Sequence, residues 1–395
     1  MTRIAQSVQN IPPSGIRKFF DLAATMDDVI SLGVGEPDFV TPWHIRETAI
    51  SSLERGFTTY TSNSGLLELR REISRYMFER FAVDVDPEDE VLITVGASEG
   101  IDLVIRAITN PGDEILVVEP CFVAYEPIIR MAGGVPVKIN TTIETGFTLS
   151  PEQIRKHATA KTKAIIFSFP NNPTGAVMSR KQFMGVAKVL RELDLLAVSD
   201  EIYAELNYTA HPISFASLPG MKERTIVLSG FSKAFAMTGW RIGYAAGPQD
   251  IIQAMTKIHQ YTMLCAPISA QMAAIEALQY GFDEMQHMVE SYRLRRNYVT
   301  RALHTAGLEC REPAGAFYAF PNIESTGLTS SEFAEKLLLE EKVAVVPGNV
   351  FGESGEGHVR CSYATSIDHL REAMARLERF VARHSRHSSQ SRLAE

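Results

Sequence analysis

Lys233 stands where a solvated surface amine would be out of place. It follows the apolar run Thr225–Leu228 and Ser229-Gly230-Phe231-Ser232, and it precedes Ala234-Phe235-Ala236-Met237-Thr238-Gly239-Trp240-Arg241-Ile242-Gly243. Small and apolar neighbours desolvate a lysine, and a nearby cation depresses its pKa further, which suits an amine serving as nucleophile and base. Arg241 supplies that cation. Its planar fork also suits a bidentate grip on phosphate, with an ordinary salt bridge as the plainer alternative.

Other groups at the ends of apolar runs could complete a site. Gly96-Ala97-Ser98-Glu99-Gly100 reads as small residues opening a helix, whose free N–H groups and dipole would hold an anion such as phosphate. Helix capping accounts for these residues equally well, and the GxxxxGK[ST] pattern of a P-loop is missing. Ser168-Phe169-Pro170-Asn171-Asn172-Pro173-Thr174-Gly175 is a rigid turn, and at a strand end its Asn172 amide could donate to a ligand oxygen. In Ser199-Asp200-Glu201-Ile202-Tyr203, Asp200 ends an apolar run and is desolvated unless a cation or donor meets it; a helix cap would explain it too. A phosphate seat, a carboxylate for a ring nitrogen, phenol and amide donors for a ring oxygen and a lysine for an aldehyde together match the needs of pyridoxal 5′-phosphate. The set is far more specific than any member.

Strands and helices in alternation must position these groups. Val91–Val95, Glu114–Val118, Lys163–Phe167, Leu195–Val198, Thr225–Leu228 and Ile242–Ala246 read as buried strands, being short, rich in Val, Ile and Leu, and bounded by Gly, Pro, Ser or Asp. Helical patterns lie between them, as in Glu99–Thr109, Arg180–Leu193 and Gln249–His259. The alternation predicts an α/β fold with a mostly parallel sheet flanked by helices, and ligands outside the carboxyl ends of the strands. Beyond about residue 285 a charged helix pattern, Met285–Ala306, precedes a strand–helix–strand segment ending in Val359-Arg360-Cys361. The expected division is an N-terminal arm in 1–41 that contributes to a small domain, a large cofactor-binding domain in 42–280, and a small α+β domain in 281–395.

Composition narrows the class. The 395 residues carry 39 Lys+Arg against 47 Asp+Glu, a net charge of −8, which argues against nucleic acid or an anionic membrane as the main partner. Hydrophobic residues at 45% and charged residues at 22% fit a globular protein rather than a disordered or fibrous one. Cys121, Cys265, Cys310 and Cys361 are far apart, with no metal-ligand spacing, so no metal site is expected and a reducing cytoplasm is the default. Met1–Asn10 lacks the pattern of a signal peptide, and no apolar run approaches the roughly 20 residues of a membrane span.

The chain resembles the class I/II aminotransferases of the fold-type I pyridoxal-phosphate enzymes, most closely the prokaryotic aspartate and aromatic branch. The resemblance runs from Ile16-Arg17-Lys18 to the last helix. It rests on Gly33-Val34-Gly35-Glu36-Pro37-Asp38-Phe39, Asn171-Asn172-Pro173-Thr174-Gly175, Ser199-Asp200-Glu201-Ile202-Tyr203, Ser232-Lys233 through Gly243, Gly315-Ala316-Phe317-Tyr318 and Val359-Arg360-Cys361-Ser362-Tyr363-Ala364. It implies that Lys233 forms the internal Schiff base and shuttles a proton, that Asp200 pairs with the pyridinium nitrogen, and that Asn172 and Tyr203 donate to the phenolate oxygen. It further implies that Phe122 stacks on the ring, that Arg241, Ser232, Ala97 and Ser98 hold the phosphate, and that Tyr60 reaches it from a neighbouring subunit of a homodimer. Arg360 would grip the substrate α-carboxylate, assisted by Asn172 and the Gly35 backbone.

Two positions depart from the family pattern. Many members carry a phosphate-binding Ser where Gly230 stands, leaving Ser232 and Ser229 as the available hydroxyls, and many place Trp or Tyr at Phe122. The implied reaction is transamination from an L-amino acid to a 2-oxo acid such as 2-oxoglutarate. Phe122, Ile16 and Met263 lean towards aromatic or broad specificity; aspartate transamination and carbon–sulfur β-lysis on the same scaffold are the alternatives. A cofactor-sensing DNA-binding regulator is disfavoured, because the chain opens directly on the arm and is acidic.

Overall fold

Among the described residues, twelve short strands form three sheets. The computed structural model describes residues 3–9, 11, 26–209 and 212–391. The expected arm around Pro12-Pro13-Ser14-Gly15 and Ile16 therefore lies largely outside the described residues. In chain order the strands are β1 (Ile30–Ser31), β2 (Val91–Thr94), β3 (Glu114–Glu119), β4 (Val135–Asn140), β5 (Thr162–Ser168), β6 (Leu196–Asp200), β7 (Thr225–Gly230), β8 (Gly243–Ala246), β9 (Tyr318–Ala319), β10 (Val343–Ala344), β11 (Val346–Pro347) and β12 (Val359–Ser362).

The main sheet has seven strands in the order β2-β8-β7-β6-β5-β3-β4. Its strands β3 to β7 pair in parallel, and only β8 runs against its neighbours β2 and β7. The side-chain period of two explains why both faces are covered. Ile115 and Val117 enter one hydrophobic cluster with Val104 and Ile105, whereas Leu116 and Val118 enter another with Val186 and Leu190. Helices Ala97–Ile108 and Arg180–Glu192 thus lie on opposite faces, each drawn to an apolar surface that one register of β3 presents.

The sequence pattern did not single out β4. It is an edge strand, exposed at both ends and half-buried over most of its middle, and it contains Pro136 and Lys138, both acceptable where one edge has no ladder partner. The expected helix Met285–Ala306 appears as Phe282–Thr305. It packs with Ile367–Ser391 over the three-stranded sheet β11-β12-β9, around a core that includes Tyr292, Phe317, Phe333 and Phe380. The chain's early residues join this part: β1 pairs in parallel with β10, Leu32 N–H donates to Ala344 O at 2.8 Å, and Ser362 N–H donates to Leu32 O at 2.6 Å. Gly33 and Gly35 are thereby brought beside Arg360.

Candidate active site

The carboxyl ends of β2, β3, β5, β6 and β7 open at one edge of the main sheet. Because β8 is antiparallel, its amino end lies at that same edge, so Arg241 arrives there from just before the strand rather than after it. Gly243 is the register partner of both Thr94 on β2 and Gly230 on β7. A Cβ on Gly243 would stand 2.7 Å from Ala97 N, and one on Gly230 would stand 2.8 Å from Gly243 Cα. Neither approach leaves room for a side chain. The glycine at 230 is therefore a packing requirement that lets three strands and the Ala97–Ile108 helix start converge.

At this edge is a cleft of about 280 Å³, lined by Gly35, Ala97, Ser98, Phe122 and Asn172, and by Asp200, Tyr203, Ser232, Lys233, Arg241 and Arg360. Of the residues expected to hold the cofactor or the substrate α-carboxylate, all but Tyr60 line this cleft, whereas Met263 does not line it and Ile16 is not among the described residues. Tyr60 is outside the cleft and 80% exposed. Ser229, the second hydroxyl available near Gly230, is turned away and donates to Glu201 O at 3.2 Å. A larger cleft of about 460 Å³, lined by residues such as Met178, Phe183 and Ile213, contains none of the candidates.

Lys233 Nζ donates to Gly35 O at 2.6 Å. Burial, reinforced by Arg360 and Arg241 and opposed by Glu36 and Asp200, brings its pKa down to about 8. Asp200 is 4% exposed at the end of β6, where Tyr125 Oη donates to its Oδ2 at 2.6 Å and Ile202 N–H to its Oδ1 at 3.2 Å. Burial pushes its carboxyl pKa up, while the Tyr125 and Ile202 hydrogen bonds and the Lys233 charge act in the opposite direction.

Arg241 has a left-handed backbone with φ 52°, an uncommon conformation for a side chain of this size and a sign of a position imposed by its surroundings. Its Nη1 donates to Thr238 O at 3.1 Å, and its Nη2 is 2.5 Å from where a Cβ on Gly96 would stand. The guanidinium therefore lies directly beside the start of the Ala97–Ile108 helix. A cation beside free helical N–H groups makes a seat for an anion with more than one negative charge.

Arg360 is 4% exposed. Its Nη1 donates to Asn172 Oδ1 at 2.8 Å and its Nη2 to Gly33 O at 2.7 Å, while Nε is buried without a partner. Asn171 ties the turn by accepting from Thr174 N–H at 3.1 Å and from the Thr174 hydroxyl at 2.8 Å, which leaves Asn172 to face the cleft. A buried guanidinium that meets only neutral oxygens has its charge unbalanced, an arrangement that favours an incoming carboxylate.

Two residues in contact with this set were given no role from the sequence. Tyr125 and Tyr318 are both buried, and Tyr318 lines the cleft. Tyr318 belongs to the Gly315-Ala316-Phe317-Tyr318 motif and Tyr125 stands three positions after Phe122, so both could have been noticed. Among the described residues there is no group of three or more His, Cys, Asp and Glu able to hold a metal, and no helix long and apolar enough to cross a membrane.

The family model described as aminotransferase class I and II matches residues 27–377. The chain is 56% identical over 378 residues to the protein named YugH of Bacillus subtilis, covering 96% of this chain and 98% of that one. It is 46% identical over 374 residues to an aspartate aminotransferase of Pyrococcus abyssi, covering 94% and 96%. The crystal structure of an aromatic aminotransferase from Pyrococcus horikoshii superposes with a TM-score of 0.89 at 43% identity, covering 93% and 99%.

Proposed function

The chain belongs to the class I and II aminotransferases and transfers amino groups between an amino acid and a 2-oxo acid, and from that premise we propose that it works with pyridoxal 5′-phosphate attached to Lys233. The donor set fits this group: the Arg241 guanidinium and free N–H groups suit a phosphate, and the buried Asp200 carboxylate suits a protonated ring nitrogen. The bound cofactor supplies an electron sink that makes the substrate Cα–H acidic.

Each residue then has a separate task. Asp200 would keep the ring nitrogen protonated, and the Tyr125 hydrogen bond favours the ionised form of that carboxylate against its burial. Asn172 and Tyr203 would donate to the ring oxygen, and Phe122 would supply an apolar surface for the ring. Ala97, Ser98, Ser232 and Arg241 hold the phosphate, and Arg360 with Gly35 seats the substrate carboxylate. Lys233 would carry the proton removed from the substrate Cα; its pKa of about 8 leaves a fraction of free amine near neutral pH. The single observation that carries this reading is the convergence of Lys233, Asp200, Arg241 and Arg360 on one cleft.

We further propose the division at residues 42 and 280, supported by separate cores over the main sheet and over β9, β11 and β12. Limited proteolysis cutting first elsewhere would count against it. A homodimer sharing its sites is supported by the exposed Tyr60 and Tyr261, whose segments meet where Asn63 Nδ2 donates to Leu264 O at 2.8 Å. Sedimentation giving a monomer mass would oppose it. A reducing cytoplasmic setting fits four free cysteines, three of them buried, and cell fractionation tests it.

Aromatic or broad specificity is favoured over strict aspartate use. The cations that line the cleft, Lys233, Arg241 and Arg360, all have tasks already, and Ile101, Ile202 and Phe122 add apolar surface. Ile16 lies outside the described residues. A panel of amino donors with 2-oxoglutarate, pyruvate and oxaloacetate tests the preference: turnover confined to aspartate would reverse it. Steady pyruvate and ammonia release from cystathionine without a 2-oxo acid would instead indicate the β-lyase alternative.

A further inference from the structure

Tyr203 and Tyr318 place their hydroxyl oxygens 2.7 Å apart in the interior, joining the loop after β6 to β9 across 115 positions of chain. The rings meet nearly edge to face, with centroids 5.8 Å apart. Three further features locate Tyr318 within the site. Its ring lies beneath Arg360, whose guanidinium carbon is 4.4 Å from the ring centroid. Its Oη is 2.9 Å from where a Cβ on Gly35 would stand, so the hydroxyl abuts the segment that accepts from Lys233 Nζ. Finally, β9 is the ladder neighbour of β12, which carries Arg360.

Each phenol has one proton to donate. In the isolated pair either oxygen can be the donor. If Tyr203 spends its proton on a ring oxygen in the cleft, Tyr318 must be the donor to Tyr203. Donation into a phenol oxygen polarises the outgoing O–H, so the outer bond strengthens. We propose that Tyr318 is a positioning residue of the reaction site, whose hydroxyl orients and strengthens Tyr203 as a donor to the ring oxygen while its ring supports Arg360. This rests on the pyridoxal-phosphate reading above.

The sign of the effect follows from charge. A donor to the ring oxygen draws off the negative charge that helps to retain a proton on the cofactor-linked Lys233 nitrogen, and so lowers the pKa there. Removing the Tyr318 hydroxyl weakens that donor and raises the pKa.

The test is the pH titration of the visible absorption band of the holoenzyme, compared between wild type, Tyr318→Phe, Tyr203→Phe and the double variant. Tyr318→Phe is expected to move the midpoint upward by roughly half to one pH unit, the scale of one net hydrogen bond. Because the ring remains beneath Arg360, KM should change less than about threefold, whereas Tyr318→Leu should raise it about tenfold. With the Tyr203 hydroxyl already absent, deleting the Tyr318 hydroxyl should add almost no further shift. A wild-type midpoint in Tyr318→Phe, or a full shift that persists without the Tyr203 hydroxyl, overturns the inference and leaves the cofactor reading intact. A wild-type protein with no band fixed on Lys233 overturns both.

Discussion

Tyr125 Oη donates to Asp200 Oδ2 at 2.6 Å, a side-chain hydrogen bond that, together with the Ile202 backbone N–H, offsets the burial of that carboxylate. Burial favours the protonated carboxyl, whereas a phenol donor favours the carboxylate. Activity requiring ionised Asp200 should fall as pH drops through its pKa. Tyr125→Phe raises that pKa, so the acid limb of the kcat/KM profile should move upward by about one unit. On the acid side of the wild-type limb this means a loss approaching tenfold, which diminishes as pH rises past it. An acid limb unchanged in position would show that Tyr125 does not tune Asp200.

Arg360 meets Asn172 and Gly33 through its two terminal nitrogens and keeps a buried Nε without a partner. Lysine has neither the fork nor the planar face that packs over Tyr318. Arg360→Lys should reduce kcat/KM by about a hundredfold, equivalent to about 2.7 kcal/mol. Most of the loss should appear as a higher KM for both amino acid and 2-oxo acid, because each presents a carboxylate. Equal KM values for variant and wild type would remove Arg360 from that seat.

Gly230 offers a prediction against the family pattern. Restoring the common serine as Gly230→Ser puts a Cβ within 3.0 Å of two backbone atoms, Gly243 Cα and Ile242 O, neither of which can move cheaply. Overpacking of this kind costs about 1–3 kcal/mol. A lower Tm with no tighter cofactor binding is expected, and an unchanged Tm with higher cofactor affinity would contradict the packing argument.

Much of the fold could be read from apolar runs because β3, β5, β6 and β7 are central strands buried on both faces, where composition alone marks the strand. At the edge that signal fails: β4 has Pro136 and Lys138 and little burial. The site divides in a similar way. Lys233, Asp200 and Arg241 are conspicuous because charge at the end of an apolar run needs a reason. Tyr125 and Tyr318 sit among apolar neighbours and look like core; only partners 75 and 115 positions away reveal them as polar contacts. The tight approach at Gly230 likewise depends on the register between β7 and β8, which no local pattern encodes.

The central claim is that Lys233 is the amine that carries the cofactor. The most direct measurement is peptide mass mapping after incubation with pyridoxal 5′-phosphate and reduction with borohydride, run across a pH series. One modified peptide is expected, bearing the pyridoxyl group on Lys233. The rate of its formation in apoprotein should rise as pH increases through about 8, where the amine loses its proton. Modification spread over surface lysines, with Lys233 unmodified and activity retained, would contradict it.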